Sequence, residues 1–199
     1  MDALVTPTTK SAVHDEPISP ADVVAKGIMS QADWDACEAA AKALFVFGSR
    51  TAAARGLILV DTKYEFGRDP ATGEVLLCDE VHTPDSSRYW LASSYAARFA
   101  AGQEPANIDK EFLRRWFRER CDPYKDATLP EVPPDLINEL SRRYVLLYEL
   151  ITGQRFQFKS QGPAVAAATA SSPDDQLIDM LRKAYKAGKL KAPVVAATK

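Results

Sequence analysis

The 199-residue chain has little of what would commit it to several common protein classes. Its three cysteines, Cys37, Cys78 and Cys121, are dispersed without CxxC spacing, so neither a disulfide framework nor a cysteine zinc site is indicated. They read as reduced thiols of a cytosolic protein, with Cys78 buried in a strand. No apolar run approaches the roughly 18 residues of a membrane span, and no signal-peptide core follows Met1. These absences predict a cytoplasmic chain without a membrane partner. Neither sign of charge dominates: a net charge of −2 gives no global attraction for nucleic acid or anionic lipid. A glycine-rich phosphate loop is missing as well. What is present, 46% hydrophobic and 26% charged residues, is ordinary for a globular protein, and the length suits one main core.

The most informative stretch runs from Gly56 to Trp90. Leu57 to Val60 are four apolar residues, too few for a helix and suited to a buried strand. Alternation follows, with Asp61, Lys63 and Glu65 on one face and Thr62, Tyr64 and Phe66 on the other. Gly67, Asp69-Pro70 and Gly73 mark a turn, and Val75 to Cys78 form a second apolar strand that runs into Asp79-Glu80. The expectation is a hairpin of two buried strands, each ending in carboxylates, with its register open. If Glu65 lies opposite Val75, Asp61 lies opposite Asp79. Acids gathered on one face repel unless a cation joins them, and Mg²⁺ with one or two carboxylates plus phosphate oxygens would do so. The plain alternative is a solvated strand face holding a Lys63–Glu65 or cross-strand ion pair.

The remaining elements are helical. Ser19 or Ser30 can cap the next helix, and the alanine-rich run from Gln31 to Arg55 predicts it with a core stripe of Trp34, Cys37, Ala41, Leu44, Phe45 and Phe47, stopped by Gly56. Pro84-Asp85-Ser86-Ser87 reads as a turn or helix start, and with Arg88 it is a plausible phosphate cradle. The plain alternative there is a capping turn in which Arg88 pairs with Asp85 or Glu80. Leu91 to Asn107 reads as a loop. Asp109 is expected to cap a short helix whose arginines are interleaved with Glu111 and Glu119, a solvated face and not a nucleic-acid surface. Pro134 to Ile151 predicts the best helix, with Leu136, Ile137, Leu140, Tyr144, Leu147, Tyr148 and Ile151 facing the core and Gly153 past its end. The fold class is α+β: an antiparallel hairpin or small sheet packed with several helices.

DTKYEFG followed, after a short turn, by DEVHTPDSSRYW resembles the signature region of the SAICAR synthetase (phosphoribosylaminoimidazole-succinocarboxamide synthase) family, from Thr6 to about Phe158 and in its eukaryotic, fungal-like form. The resemblance implies an ATP-dependent ligase of de novo purine biosynthesis joining L-aspartate to carboxyaminoimidazole ribotide. The ribotide carboxylate would be activated by phosphoryl transfer, and the aspartate amine would then displace phosphate. It implies ATP and Mg²⁺ as cofactors, Lys63, Glu65 and Asp79 as catalytic residues, and Glu65 and Asp79 as metal ligands. Arg88 would hold the ribotide phosphate, with Asp85 and Ser86 beside it. Lys10 and Asp15, in an N-terminal loop that also carries His14, match the family's substrate and nucleotide cleft. Asp109, Lys110 and Arg114 are expected to approach that cleft weakly.

Two departures accompany the resemblance. The chain begins inside the family's second lobe, without the β-rich lobe that covers ATP, so it is expected to be incomplete as a stand-alone enzyme, with a separate chain as one possible source of the missing lobe. The alternative is a non-catalytic remnant or binding partner that keeps the scaffold. Residues 160–172 are expected to form a linker rich in alanine, serine and threonine, and 173–199 a tail with a short basic amphipathic helix. The main domain is then residues 1–159.

Overall fold

The structure is a computed structural model that describes residues 3–10, 15–123 and 125–157. His14 and the expected linker and tail helix lie outside the described residues. The element order is α1 (Pro20–Ala25), α2 (Gln31–Ala53), β1 (Leu57–Thr62), β2 (Glu65–Arg68), β3 (Val75–Cys78), β4 (Ser87–Leu91), α3 (Ala92–Ala100), α4 (Glu111–Arg118) and α5 (Pro134–Thr152). The class is α+β, with two antiparallel two-stranded sheets and five helices among the described residues. Two compact units result: Met1–Gly48 with Lys63–Val81, and Ser49–Thr62 with His82–Lys199.

The first unit starts with two capped helices. The Ser30 hydroxyl accepts the Asp33 N–H at 3.2 Å at the start of α2, while the Ser19 hydroxyl accepts the Asp22 N–H at 3.1 Å and caps α1, a separate short helix that the sequence did not distinguish. Val23, Trp34 and Cys37 are buried. Phe47, expected in the core stripe of α2, is 61% exposed, because a stripe drawn that long drifts around the helix. β2 and β3 form the hairpin, with Glu65 opposite Cys78 and Arg68 opposite Val75. Gly67 fits there because a Cβ would stand 2.9 Å from the Cys78 sulfur. Leu76, Leu77 and Cys78 are exposed, so β3 is not the buried strand its apolar composition suggested.

The second unit holds the larger core. β1 does not pair with Val75–Cys78, as the single-hairpin expectation had it; it pairs with β4. The register runs Leu57–Leu91, Ile58–Trp90, Leu59–Tyr89, then skips a residue to Asp61–Arg88 and Thr62–Ser87. That irregularity puts Asp61, not Val60, across from Arg88. Leu57, Leu59, Tyr89 and Leu91 alternate inward, and Ile108, Leu146, Leu147 and Leu150 are buried with them in this unit. Ser87 to Leu91 is therefore strand and not the continuation of a turn. The expected loop after it contains α3, which has no side-chain cap to announce it in sequence. Trp90 stacks on Tyr95 at 5.4 Å and Tyr95 meets Phe99 at 5.8 Å. In α5 the buried positions are Arg143, Leu146, Leu147 and Leu150. Ile137 and Tyr148, expected inside, are 53% and 39% exposed. The stripe lies about one position from the expected one because Arg143 enters the core. Gly153 closes α5 with φ 73°.

Candidate functional site

The first unit gathers four of the expected site residues into one charged network. Lys63 leaves β1 just before β2 begins, and its Nζ lies 2.7 Å from Asp15 Oδ2 and 3.0 Å from Glu65 Oε1. Lys10 Nζ reaches the same Glu65 oxygen at 2.7 Å. Two lysines and two carboxylates thus alternate with no net charge. Hydrogen bonds from Lys10 and then Lys63 hold the Glu65 carboxyl below the usual carboxylate range. Hydrogen bonds to Asp15 and then Glu65 push the Lys63 ammonium above its ordinary value. Tyr64, between them in sequence, is raised to about 12 by burial.

Asp79 is the first residue past β3. Glu65 is opposite Cys78 and not Val75, and Asp61 pairs in the other sheet, so the register that would have set Asp61 across from Asp79 with the acids on one strand face does not form; Asp79 follows Cys78 at the same end of the hairpin as Glu65, one position out of register. Asp79 is exposed and takes φ 65°, a left-handed conformation uncommon for a non-glycine residue. Outliers of this kind gather where side chains are aimed for function. As a donor set, Glu65 and Asp79 offer carboxylate oxygens, the hard ligands Mg²⁺ takes, in the number it uses when phosphates complete its shell. In donor chemistry the two residues suit that ion. Among the described residues no group of three or more His, Cys, Asp or Glu is placed to hold a metal by protein ligands alone.

The second unit carries the serine and arginine cluster. Thr83 Oγ1 accepts the N–H groups of Asp85 and Ser86, each at 3.2 Å, which forms the turn expected at Pro84. Ser87 donates to Thr62 Oγ1 across the sheet at 2.8 Å. Arg88 is held side-on by Asp61, Nε to Oδ1 at 3.0 Å and Nη2 to Oδ2. Its partner in this unit is Asp61, which the sequence did not offer, and its side chain remains about half exposed. Asp85 pairs with Lys110 at 2.8 Å. Beneath this surface lies Asp109, fully buried, whose two oxygens accept the N–H groups of Tyr89 and Glu111, each at 2.7 Å. Burial raises its pKa. Asp109 therefore ties β4 to the start of α4 and is more than the helix cap its position suggested. Arg114 pairs with Glu111 at 3.7 Å. The sequence did not show that Asp61 is the partner of Arg88, since the register shift that joins them leaves no local signal.

Solved SAICAR synthases are among the structures that this chain resembles. A SAICAR synthase from Saccharomyces cerevisiae, complexed with SAICAR, matches 72% of this chain with 46% of its own, at TM-score 0.58 and 32% identity. A SAICAR synthetase in complex with ADP matches 78% of this chain with 53% of its own, at TM-score 0.54 and 27% identity. The sequence model of the SAICAR synthetase family covers residues 1–130, and the chain belongs to that family. The phosphoribosylaminoimidazole-succinocarboxamide synthase of Legionella pneumophila (strain Lens) is 58% identical over 161 residues, 80% of this chain and 51% of the relative. The fungal-like form expected from the motifs is not the one the identities favour, at 58% to the bacterial synthase and 32% to the yeast one. The chain spans about half the length of these relatives.

Proposed function

We propose that this chain supplies the metal-, phosphate- and ribotide-binding part of a SAICAR synthetase site: the joining of L-aspartate to carboxyaminoimidazole ribotide with ATP. The observation that carries the reading is the motif pair DTKYEFG and DEVHTPDSSRYW in a chain 58% identical to a named synthase, with its charged residues presented at the surface in two clusters. Glu65 and Asp79 would hold Mg²⁺, which when bound would neutralise nucleotide phosphate charge. Lys10 and Lys63 carry the positive charge that a polyphosphate or a substrate carboxylate requires, and Asp15 holds Lys63 in place. Arg88, pre-oriented by Asp61, presents its guanidinium to the ribotide phosphate, and the turn at Thr83–Ser86 adds hydroxyls beside it. Chemistry of this type depends on positioning and charge neutralisation more than on covalent help from protein groups, which suits a site of lysines, acids and one arginine. We place this activity in the cytoplasm. Among the described residues no helix is long and apolar enough to cross a membrane.

The test is a chimaera. The segment of the Legionella synthase that matches this chain is replaced by the residues of this chain, and SAICAR formation is followed. The expected result is turnover in the chimaera and a loss of about 100-fold or more with Asp79→Asn, the scale of removing a group that stabilises transition-state charge. Full turnover in the Asp79→Asn chimaera defeats the reading.

A further inference from the structure

Both lysines of the first cluster converge on one oxygen of Glu65, Oε1, at 2.7 and 3.0 Å. They are bound to the carboxylate that a divalent cation would need. We infer that Lys10 and Lys63 are specificity-determining residues that make metal binding at Glu65 conditional on a polyphosphate arriving with it. This rests on the reading of Glu65 as a metal ligand.

The argument is one of charge. With both lysines in place the network of Lys10, Lys63, Glu65 and Asp15 is neutral, and Glu65 already has its counter-cations. A divalent ion brought to this carboxylate stands within a few ångström of two ammonium groups, and at that distance like charges repel strongly unless water screens them fully. The side chain of Glu65 is only 26% exposed, so the screening is incomplete. A bare metal ion therefore has to displace the lysines or bind beside them, and either lowers its affinity. A polyphosphate changes the balance. It offers the displaced lysines an anionic partner and supplies the oxygens that complete the metal shell. Lys10 is suited to the exchange, because its side chain is 72% exposed and is tied to the cluster through this contact. Lys63 stays anchored by Asp15 and can turn between the two anions. Metal and polyphosphate then raise each other's affinity by the same factor, as thermodynamic linkage requires. A site of this kind discriminates the metal–polyphosphate complex from free metal, although it contains only two acidic ligands.

The test measures Mn²⁺ retained by the full 199-residue chain in equilibrium dialysis, with and without tripolyphosphate. Wild type is expected to hold Mn²⁺ weakly alone and at least about tenfold more tightly with tripolyphosphate. Lys10→Met is expected to bind Mn²⁺ alone about tenfold more tightly than wild type, with much of the gain from tripolyphosphate gone. Lys26→Met, which removes a lysine paired with Asp22 outside the cluster, controls for net charge and should behave as wild type. Glu65→Gln should retain little Mn²⁺ in either condition. If Glu65→Gln loses the metal while Lys10→Met matches wild type in both conditions, the coupling is refuted and the metal site stands. If Glu65→Gln binds Mn²⁺ as wild type does, or no variant binds it at all, the metal reading itself falls and the coupling with it.

Discussion

At the scale of single residues, Asp79 offers a way to separate the proposed metal role from stability. Its φ of 65° is one that glycine takes without strain. Asp79→Gly is therefore expected to leave thermal stability within about 0.5 kcal/mol of wild type, while metal binding is lost. A large drop in melting temperature would instead mean that the carboxylate supports the fold. Glu65 gives a pH signature. Its carboxyl is held low by Lys10 and Lys63, so the folded state binds a proton there less readily than the unfolded chain. That contribution to stability is complete above the ordinary carboxylate range and disappears as pH falls through the lowered folded value. The difference in melting temperature between wild type and Glu65→Gln should accordingly be largest above the ordinary carboxylate range and shrink as pH falls below it. A difference that persists in acid would show that Glu65 acts through packing. These signatures depend on partners that local sequence shows only in part: the Lys63–Glu65 pair follows from alternation, whereas Lys10 is 55 residues away from Glu65.

At the scale of elements, two contacts decide the geometry of the sheets. In the β2–β3 hairpin, Gly67 leaves room for the Cys78 sulfur, and Gly67→Ala should destabilise by about 1–3 kcal/mol, the usual cost of overpacking. Cys78→Ala in the same chain should recover most of it, and denaturant unfolding of the double variant reads this directly. In the second unit, Asp109→Ala would strand the buried N–H of Tyr89, at a cost of about 1–3 kcal/mol, and leave the partly buried N–H of Glu111 without this acceptor. A loss below about 1 kcal/mol in urea unfolding would mean that water replaces the carboxylate. Helix existence was legible because caps, alanine content and the closing glycines of α2 and α5 are local signals. Strand pairing was not. Leu57–Val60 and Val75–Cys78 are both apolar and close in sequence, yet the first pairs with β4, and no residue-level pattern distinguishes the two pairings. α3 escaped notice because it begins without a capping side chain and is held by aromatic stacking on Trp90.

At the scale of the whole molecule, the chain is a member of the SAICAR synthetase family that spans about half the length of its relatives. We propose from composition that residues 160–199 are an appendage to the domain of residues 1–159, and a chain ending at Lys159 should keep its melting temperature within about 2 °C. A shift of several degrees, corresponding to about 1 kcal/mol, would show that the appendage packs on the domain. By itself the sequence determined the α+β class, the helices with strong caps, the turn at Pro84 and, through two motifs in order, the family. Those properties are written in neighbouring residues or in a pattern that survives without coordinates. Only the tertiary structure decided that Arg88 answers to Asp61, that Asp109 is locked beneath β4, and that Lys10 reaches Glu65. These are pairings of residues far apart in the chain, set by a one-residue irregularity in one sheet and by the register of the other, and such offsets are chosen by the packing of the whole core and not by any short segment.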